Sequence, residues 1–232
     1  MKRFYKDVAV TKVDGGWQVT LDGRGVKTPA KAAQVVPTQV LAEALAEEWR
    51  AQGEELDYRT LPMRDLADYA IDRAGLDAAQ IADKLLGFAE TDTLCYRADP
   101  EHPLYRRQLD IWEPILTGIE ERHGVQFERT SGILHRPLCA ETVATLRAVV
   151  ARHDPFTLAA LEVLTALAAS VAVGLAALEP DADALALFGA ANLEQDVQAE
   201  RWGWEQEAEA ARQEKQDAFV RSAKFARLVR AG

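Results

Sequence analysis

The sequence predicts an α+β protein, with an N-terminal β-rich part (an antiparallel meander) packed on a larger all-helical C-terminal part. Three observations carry this expectation. Apolar residues alternate with a period of two over the first thirty residues. Helical spacing replaces that alternation near Pro37. Phe156 to Leu178 is apolar nearly all round, the pattern of a buried central helix. The expected division is a β-rich domain over residues 1–60 and a mainly helical domain over 61–232. Short strands near 93–97 and 125–129 are candidates to join the N-terminal sheet.

The strands follow from the turns between them. Val8, Val10 and Val13 lead to Asp14-Gly15-Gly16, and Trp17, Val19 and Leu21 then alternate with Gln18 and Thr20. That is a hairpin around a glycine turn. Asp22-Gly23 offers a second turn before Gly25 to Thr28, and Pro29 limits further pairing.

Helices follow. Pro37-Thr38 opens a segment with Val40, Leu41, Ala44, Leu45 and Trp49 on a helical repeat, ending near Gly53. Leu66 to Arg73, ending at Gly75, and Ile81 to Ala89 are the next two. Leu104 to His123 is helical, with Pro114 either kinking it or starting a new segment. Val125, Phe127 and Arg129 alternate with polar residues and suggest a strand. Thr142 to His153 is helical, and Asp154-Pro155 is a start signal for the central segment. On that segment Leu161, Leu164, Leu167, Val171 and Leu175 are the expected core. Glu179-Pro180-Asp181 breaks it. One helix should then run from Ala182 to about Trp202, stopped by Gly203, and another from about Glu205 to Val229.

A chain of 232 residues, 48% of them hydrophobic, can bury a core without covalent staples. Its two cysteines, Cys95 and Cys139, cannot form a disulfide framework and match no metal spacing, which suits a reducing compartment. Val163 to Leu178 is too short for a membrane span. The net charge of −10 is uneven. Residues 1–31 carry seven Lys/Arg against three Asp/Glu, whereas 179–209 carry nine acids against Arg201 alone. Without a dominant basic face, nucleic acid is not an expected partner. An acidic helical face is either solvated surface or a lure for a basic partner.

A search for catalytic chemistry finds little. Gly23-Arg24-Gly25 lacks the third glycine and the following helix of a phosphate loop. His102, His123, His135 and His153 have no ligand-spaced His or Cys neighbour, so no metal and no cofactor is expected. His135 and Cys139 are separated by Pro137, which argues against a shared helical face. Glu90 and Asp92 flank Thr91, with Arg97 nearby. They could serve a small-molecule enzyme in a cleft between the β part and the helices, or they could cap a helix and pair with arginine.

Leu193 to Gly203 is more informative. On a helix, Glu194, Gln198, Arg201 and Glu205 share one face, and Trp202 lies beside them. A salt-bridged solvated stripe has that spacing. An interface hot spot has that composition.

This segment, LEQDVQAERWG, resembles the Leu-Glu-x-x-x-Gln-x-x-x-Trp-Gly pattern of the chaperones that assemble the catalytic sector of F-type ATP synthase, the ATP-twelve family. RFYKDV, LDGRGVKTP, VPTQVLAEALAEEWRAQG, LPMRDLADYAIDR, DTLCYRA and DPFTLAALEVLTALAASVAVGLA match further family motifs in order, over nearly the whole chain. The match departs at Asp196 and Val197. The resemblance implies a chaperone without catalytic residues or cofactor. It would bind the free α subunit and shield it from aggregation before it meets β. Partner binding then falls on Glu194, Gln198, Arg201 and Trp202, with Glu194 at the family's functional acidic position. The resemblance further implies a monomer that does not insert in membranes. With no mitochondrial targeting extension expected, it implies a bacterial, cytoplasmic member.

Overall fold

The computed structural model describes residues 1–132 and 136–231. It has the expected α+β character, with antiparallel strands first and helices after. Its contacts gather into two compact units. Unit one comprises Met1–Ala78, Asp154–Ala160 and the chain from Lys224 onward, and unit two comprises Ala79–His153 and Leu161–Ala223. Unit one thus runs past residue 60 and recruits two later segments.

In unit one, β1 (Val8–Val13) and β2 (Gly16–Leu21) form the expected hairpin, with Val10 opposite Val19. Gly16 has no side chain for a steric reason. A Cβ there would lie 2.3 Å from the carbonyl oxygen of Val36. Asp22 and Gly23, both at positive φ, turn β2 into β3 (Arg24–Gly25). The sheet has a fourth strand that the alternation did not reveal: β4 (Val35–Val36) returns to β2 beyond an excursion around Pro29. That excursion is tied down by Asp72, which accepts bonds from Thr28 Oγ1 and Ala30 N.

Helix α1 (Gln39–Arg50) starts at Thr38, whose hydroxyl accepts the Leu41 N–H. It lays Leu41, Leu45 and Trp49 into the core of the unit. Helix α2 (Pro62–Tyr69) has no cap of its own at Leu61. Glu48 from α1 supplies one, accepting the N–H groups of Met63 and Arg64. One wide π turn, Ala70–Ala74, extends α2.

In unit two, α3 (Ala78–Glu90) leads through a tight turn to β5 (Tyr96–Arg97). Helix α4 (Pro103–His123) is continuous through Pro114. It buries Trp112, Leu116 and Ile119 completely, and the Trp112 indole N–H donates to Ala190 O at 2.7 Å. The stretch 125–129 is not a strand. Its backbone is held by side chains, with Phe127 N donating to Glu120 and Gln126 N to Thr142. The strand is β6 (Thr130–Ser131), which pairs in parallel with β5. The two make a sheet of their own and do not join the N-terminal one.

Helix α5 (Ala140–Ala151) is followed by α6 (Pro155–Ala168), where Asp154 accepts the Phe156 and Thr157 N–H groups as its spacing predicted. The central segment is not one helix. It breaks at Ala169, which has φ 47°, and restarts as α7 (Val171–Ala176) under a Ser170 cap. Gly174 packs against α6 so closely that a Cβ would stand 2.3 Å from Thr165 Oγ1. Of the expected core, Leu161, Leu164, Val171 and Leu175 are buried, whereas Leu167, on the flank of α6, is only half-buried. The next expected helix also divides, at Asn192, into α8 (Ala184–Ala191) and α9 (Leu193–Trp202). Helix α10 (Gln206–Val229) closes the chain. No helix among the described residues is long and apolar enough to cross a membrane.

Candidate functional site

Helix α9 is amphipathic in a simple way. Leu193 and Val197, one turn apart, point into the core. The residues between them face out. Glu194 and Asp196 lie in the first turn, where acids favour the positive end of the helix dipole, and Arg201 lies in the last. Gly203, at φ 79°, ends the helix.

Two ion pairs fix this helix. Arg107 of α4 holds both carboxylate oxygens of Glu200 at 2.6 and 2.9 Å. Arg212 of α10 holds both oxygens of Asp196 at 2.7 and 2.6 Å. The same guanidinium lies 5.4 Å from the Phe188 ring centre and 5.7 Å from that of Trp204. Bidentate pairs of this kind fix orientation as well as position.

All four residues expected from sequence, Glu194, Gln198, Arg201 and Trp202, are exposed. Glu194 is nonetheless oriented: the fully buried Gln108 donates its Nε2–H to Glu194 Oε1 at 2.8 Å. The Gln108 oxygen accepts the Ala98 N–H at 2.7 Å, so the amide is locked from both ends. The side chains of Gln198 and Arg201 make no hydrogen bond or ion pair with another described residue. Trp202 does not pack into the core; it is 76% exposed.

The structure adds what the sequence spacing missed. Trp204, 38% exposed, flanks Trp202 across the glycine turn. Gln198 and both tryptophans line a groove of about 500 Å³ between α9 and α10, which Ala208, Ala211 and Arg212 complete. Glu194 and Arg201 lie outside this lining. A Trp-Gly-Trp run at the end of an acidic helix was the available signal for it. Gln108 and Arg107 had none, since they come from α4.

The other candidate chemistry does not converge. Asp92 is fully buried; its oxygens accept the N–H groups of Leu94 and Ala172 at 3.0 Å, and burial pushes its carboxyl up to about 6. Arg97 is buried against Glu113 at 2.8 Å. Glu90 borders a void of only about 10 Å³ and accepts the Leu138 N–H. The expected cleft carrying Glu90, Asp92 and Arg97 is therefore replaced by a cap and an arginine pair. Cys139 caps α5, where the Thr142 hydroxyl and N–H hold its thiol below the usual range. His135 lies outside the described residues. Among the described residues, no group of three or more His, Cys, Asp or Glu could hold a metal ion.

Comparison with known proteins is consistent along the chain. A family model described as ATP12 chaperone protein matches residues 2–120. The crystal structure of Atp12 from Paracoccus denitrificans superimposes with a TM-score of 0.93 at 35% identity, covering 99% of this chain and 98% of that one. The Atu1473 protein from Agrobacterium tumefaciens gives 0.89 at 36% identity, over 98% of this chain and 85% of that one. The mitochondrial protein atp12 of Schizosaccharomyces pombe is 28% identical over 214 residues, 87% of this chain and 74% of its own length. The α9 groove lies outside the stretch that the family model matches and inside the structural superpositions.

Proposed function

Since this chain belongs to the ATP12 chaperone family, we propose that it binds the free α subunit of F-type ATP synthase and prevents its aggregation until β joins. The α9 face is the contact. The observation that carries this is the exposure of Trp202 beside Glu194, Gln198 and Arg201 on a helix held rigid by two bidentate ion pairs. A large aromatic side chain left in water gains most when a partner covers it. Fixing α9 in advance lowers the ordering cost of that contact.

The acids have a second role. Asp196 and Glu200 are taken up by Arg212 and Arg107, but Glu194 on α9 is followed by Glu205, just before α10, and by Glu207 and Glu209 in its first turn. Their field draws in a basic patch and raises the association rate more than the final affinity. Release needs no hydrolysis on this reading: the α subunit leaves when β competes for the same aggregation-prone surface.

Glu194→Ala tests the reading, because the residue is exposed and its loss should change stability by no more than about 0.5 kcal/mol. At a desolvated charged contact the same truncation costs about 2–5 kcal/mol of binding. The expected result is an unchanged melting temperature with lost protection of the α subunit against aggregation. Equal protection removes Glu194 from the contact, and a collapsed melt makes it structural.

A further inference from the structure

Unit one contains a cavity of about 540 Å³ that the α9 reading does not use. Its floor is apolar and buried, made by Tyr5, Leu21, Val26 and Trp49. Two aromatics stand unburied at its rim, Phe4 at 63% exposure and Tyr58 at 42%. The charges that line it are mostly positive. Arg64 is already committed, paired with Asp65 at 3.0 Å and lying over the Trp49 and Tyr58 rings. Arg24 and Lys27 are exposed and make no ion pair among the described residues. Asp22 is the one acid in the lining, and one of its carboxylate oxygens, Oδ1, accepts the N–H groups of Lys6 and Asp7.

A strand edge borders the same cavity. Strand β3, which supplies Arg24 and Gly25 to the lining, is paired only on its β2 side. Val26 N donates to Val19 O at 2.9 Å, so the neighbouring Thr20–Gly25 pair is the non-bonded one of the antiparallel ladder. The Gly25 N–H and C=O therefore turn away from β2, while the Gln18 side-chain amide covers the face of the Gly25 α-carbon.

We propose that this cavity is a docking site for an extended protein segment that carries an aromatic or aliphatic side chain next to one or more carboxylates. The segment adds to the β3 edge, with its main chain bonding to Gly25. Its apolar side chain enters among Phe4, Trp49 and Tyr58, and its carboxylates meet Arg24 and Lys27. An open edge that offers an acceptor as well as a donor suits a polypeptide better than a phosphate, which can only accept. The acids of a second copy of this chain match the charge, but those of α9 and α10 are held on helices and cannot extend along a strand. The lining of this site belongs to unit one and α9 to unit two, and neither proposal depends on the other.

The test uses the full chain and a fluorescein-labelled short peptide that alternates phenylalanine and glutamate, followed by anisotropy. Wild type should bind it, and binding should weaken as salt is raised. Arg24→Glu combined with Lys27→Glu should weaken it by roughly tenfold or more at an unchanged melting temperature. Phe4→Ser combined with Tyr58→Ser should do the same, and decides the matter if the charge reversal unfolds the protein. Glu194→Ala should bind like wild type; a loss there moves the peptide to α9 and overturns the proposal. Equal affinity for a phenylalanine–lysine peptide overturns it, as does unchanged binding in both double variants. Displacement of the peptide by ATP at similar concentration makes the cavity a nucleotide site instead. A dimer in sedimentation that the charge reversal abolishes makes the occupant a second copy.

Discussion

Two helix breaks in unit two, at Ala169 and at Asn192, show how differently a break can be used. Phe156 to Leu178 and Ala182 to Trp202 both read from sequence as single helices, and both are divided. At the first break Ala169 itself is exposed, but Ala168, Ser170 and Val171 around it are buried, and the polar groups there find partners. Asp92 accepts Ala172 N, Ser170 Oγ accepts Val173 N, and the Ala169 carbonyl takes both the N–H and the hydroxyl of Thr93. At the second, the Asn192 side chain donates back to Phe188 O at 2.8 Å and so closes α8, but it gives the start of α9 no cap, and the helix beyond presents its polar face to solvent. A buried helix terminus has to find partners within the fold. An exposed terminus does not, so its residues are available to another molecule. The first break accordingly serves stability, and the helix that follows the second carries the proposed contact.

The largest effect that can sharpen this contrast is beside the buried break. Leu164 is fully buried on α6. Leu164→Ala removes its contacts and leaves a void, which should cost about 2–5 kcal/mol. A urea denaturation curve with an unchanged midpoint would contradict the burial.

Asp92 comes next. Asp92→Ala strands the buried N–H groups of Leu94 and Ala172, at a cost on the order of 3 kcal/mol. The same residue sets a pH signature. Burial raises its carboxyl to about 6 in the fold, whereas an unfolded aspartate titrates at about 4. Below about pH 4 the group is neutral in both states, and the stabilisation is fully present. As pH rises, the unfolded chain releases its proton first, so stability is lost up to about pH 6, by about 3 kcal/mol. Other carboxylates titrate in the same range, so the readout is the difference between wild type and Asp92→Asn. Parallel stability curves for the two from pH 4 to 7 would remove Asp92 from the effect.

Gly174 tests the packing of α7 on α6. Gly174→Ala places a methyl group into Thr165 Oγ1, with Leu161 Cδ1 at 3.2 Å and Thr165 Cα at 3.3 Å. The overpacking should cost about 1–3 kcal/mol. A gain in melting temperature would show that α7 shifts freely.

How much of this was legible in the sequence depends on the distance between partners. The hairpin was readable because Val10, Val19 and the glycine turn lie close together. The start of α6 was readable because Asp154 caps residues two and three positions away. The break at Ala169–Ser170 was not, since no glycine or proline marks it and its carboxylate partner lies 80 residues back. Strand β4 pairs with β2 across the Pro29 excursion, and two residues are too short to show a period. At the candidate site, the helical spacing placed Glu194, Gln198 and Arg201 on the exposed face. The lock on Glu194 was invisible, because Gln108 stands 86 residues away.

The smallest expected effect on stability is at the exposed end of α9, and it bears most directly on function. Trp202 is 76% exposed, so Trp202→Ser deletes little buried area. The melting temperature should move by the equivalent of no more than about 0.5 kcal/mol. Protection of the α subunit should fall sharply if the indole is a contact anchor, since buried tryptophans dominate interface energies at about 2 kcal/mol or more. Trp204 is the internal control. It is half as exposed and lies against Arg212, so Trp204→Ser should lower both stability and protection. A Trp202→Ser protein with full protection would move the contact off the α9 end. A stability loss equal to that of Trp204→Ser would show that the second break, like the first, serves the fold.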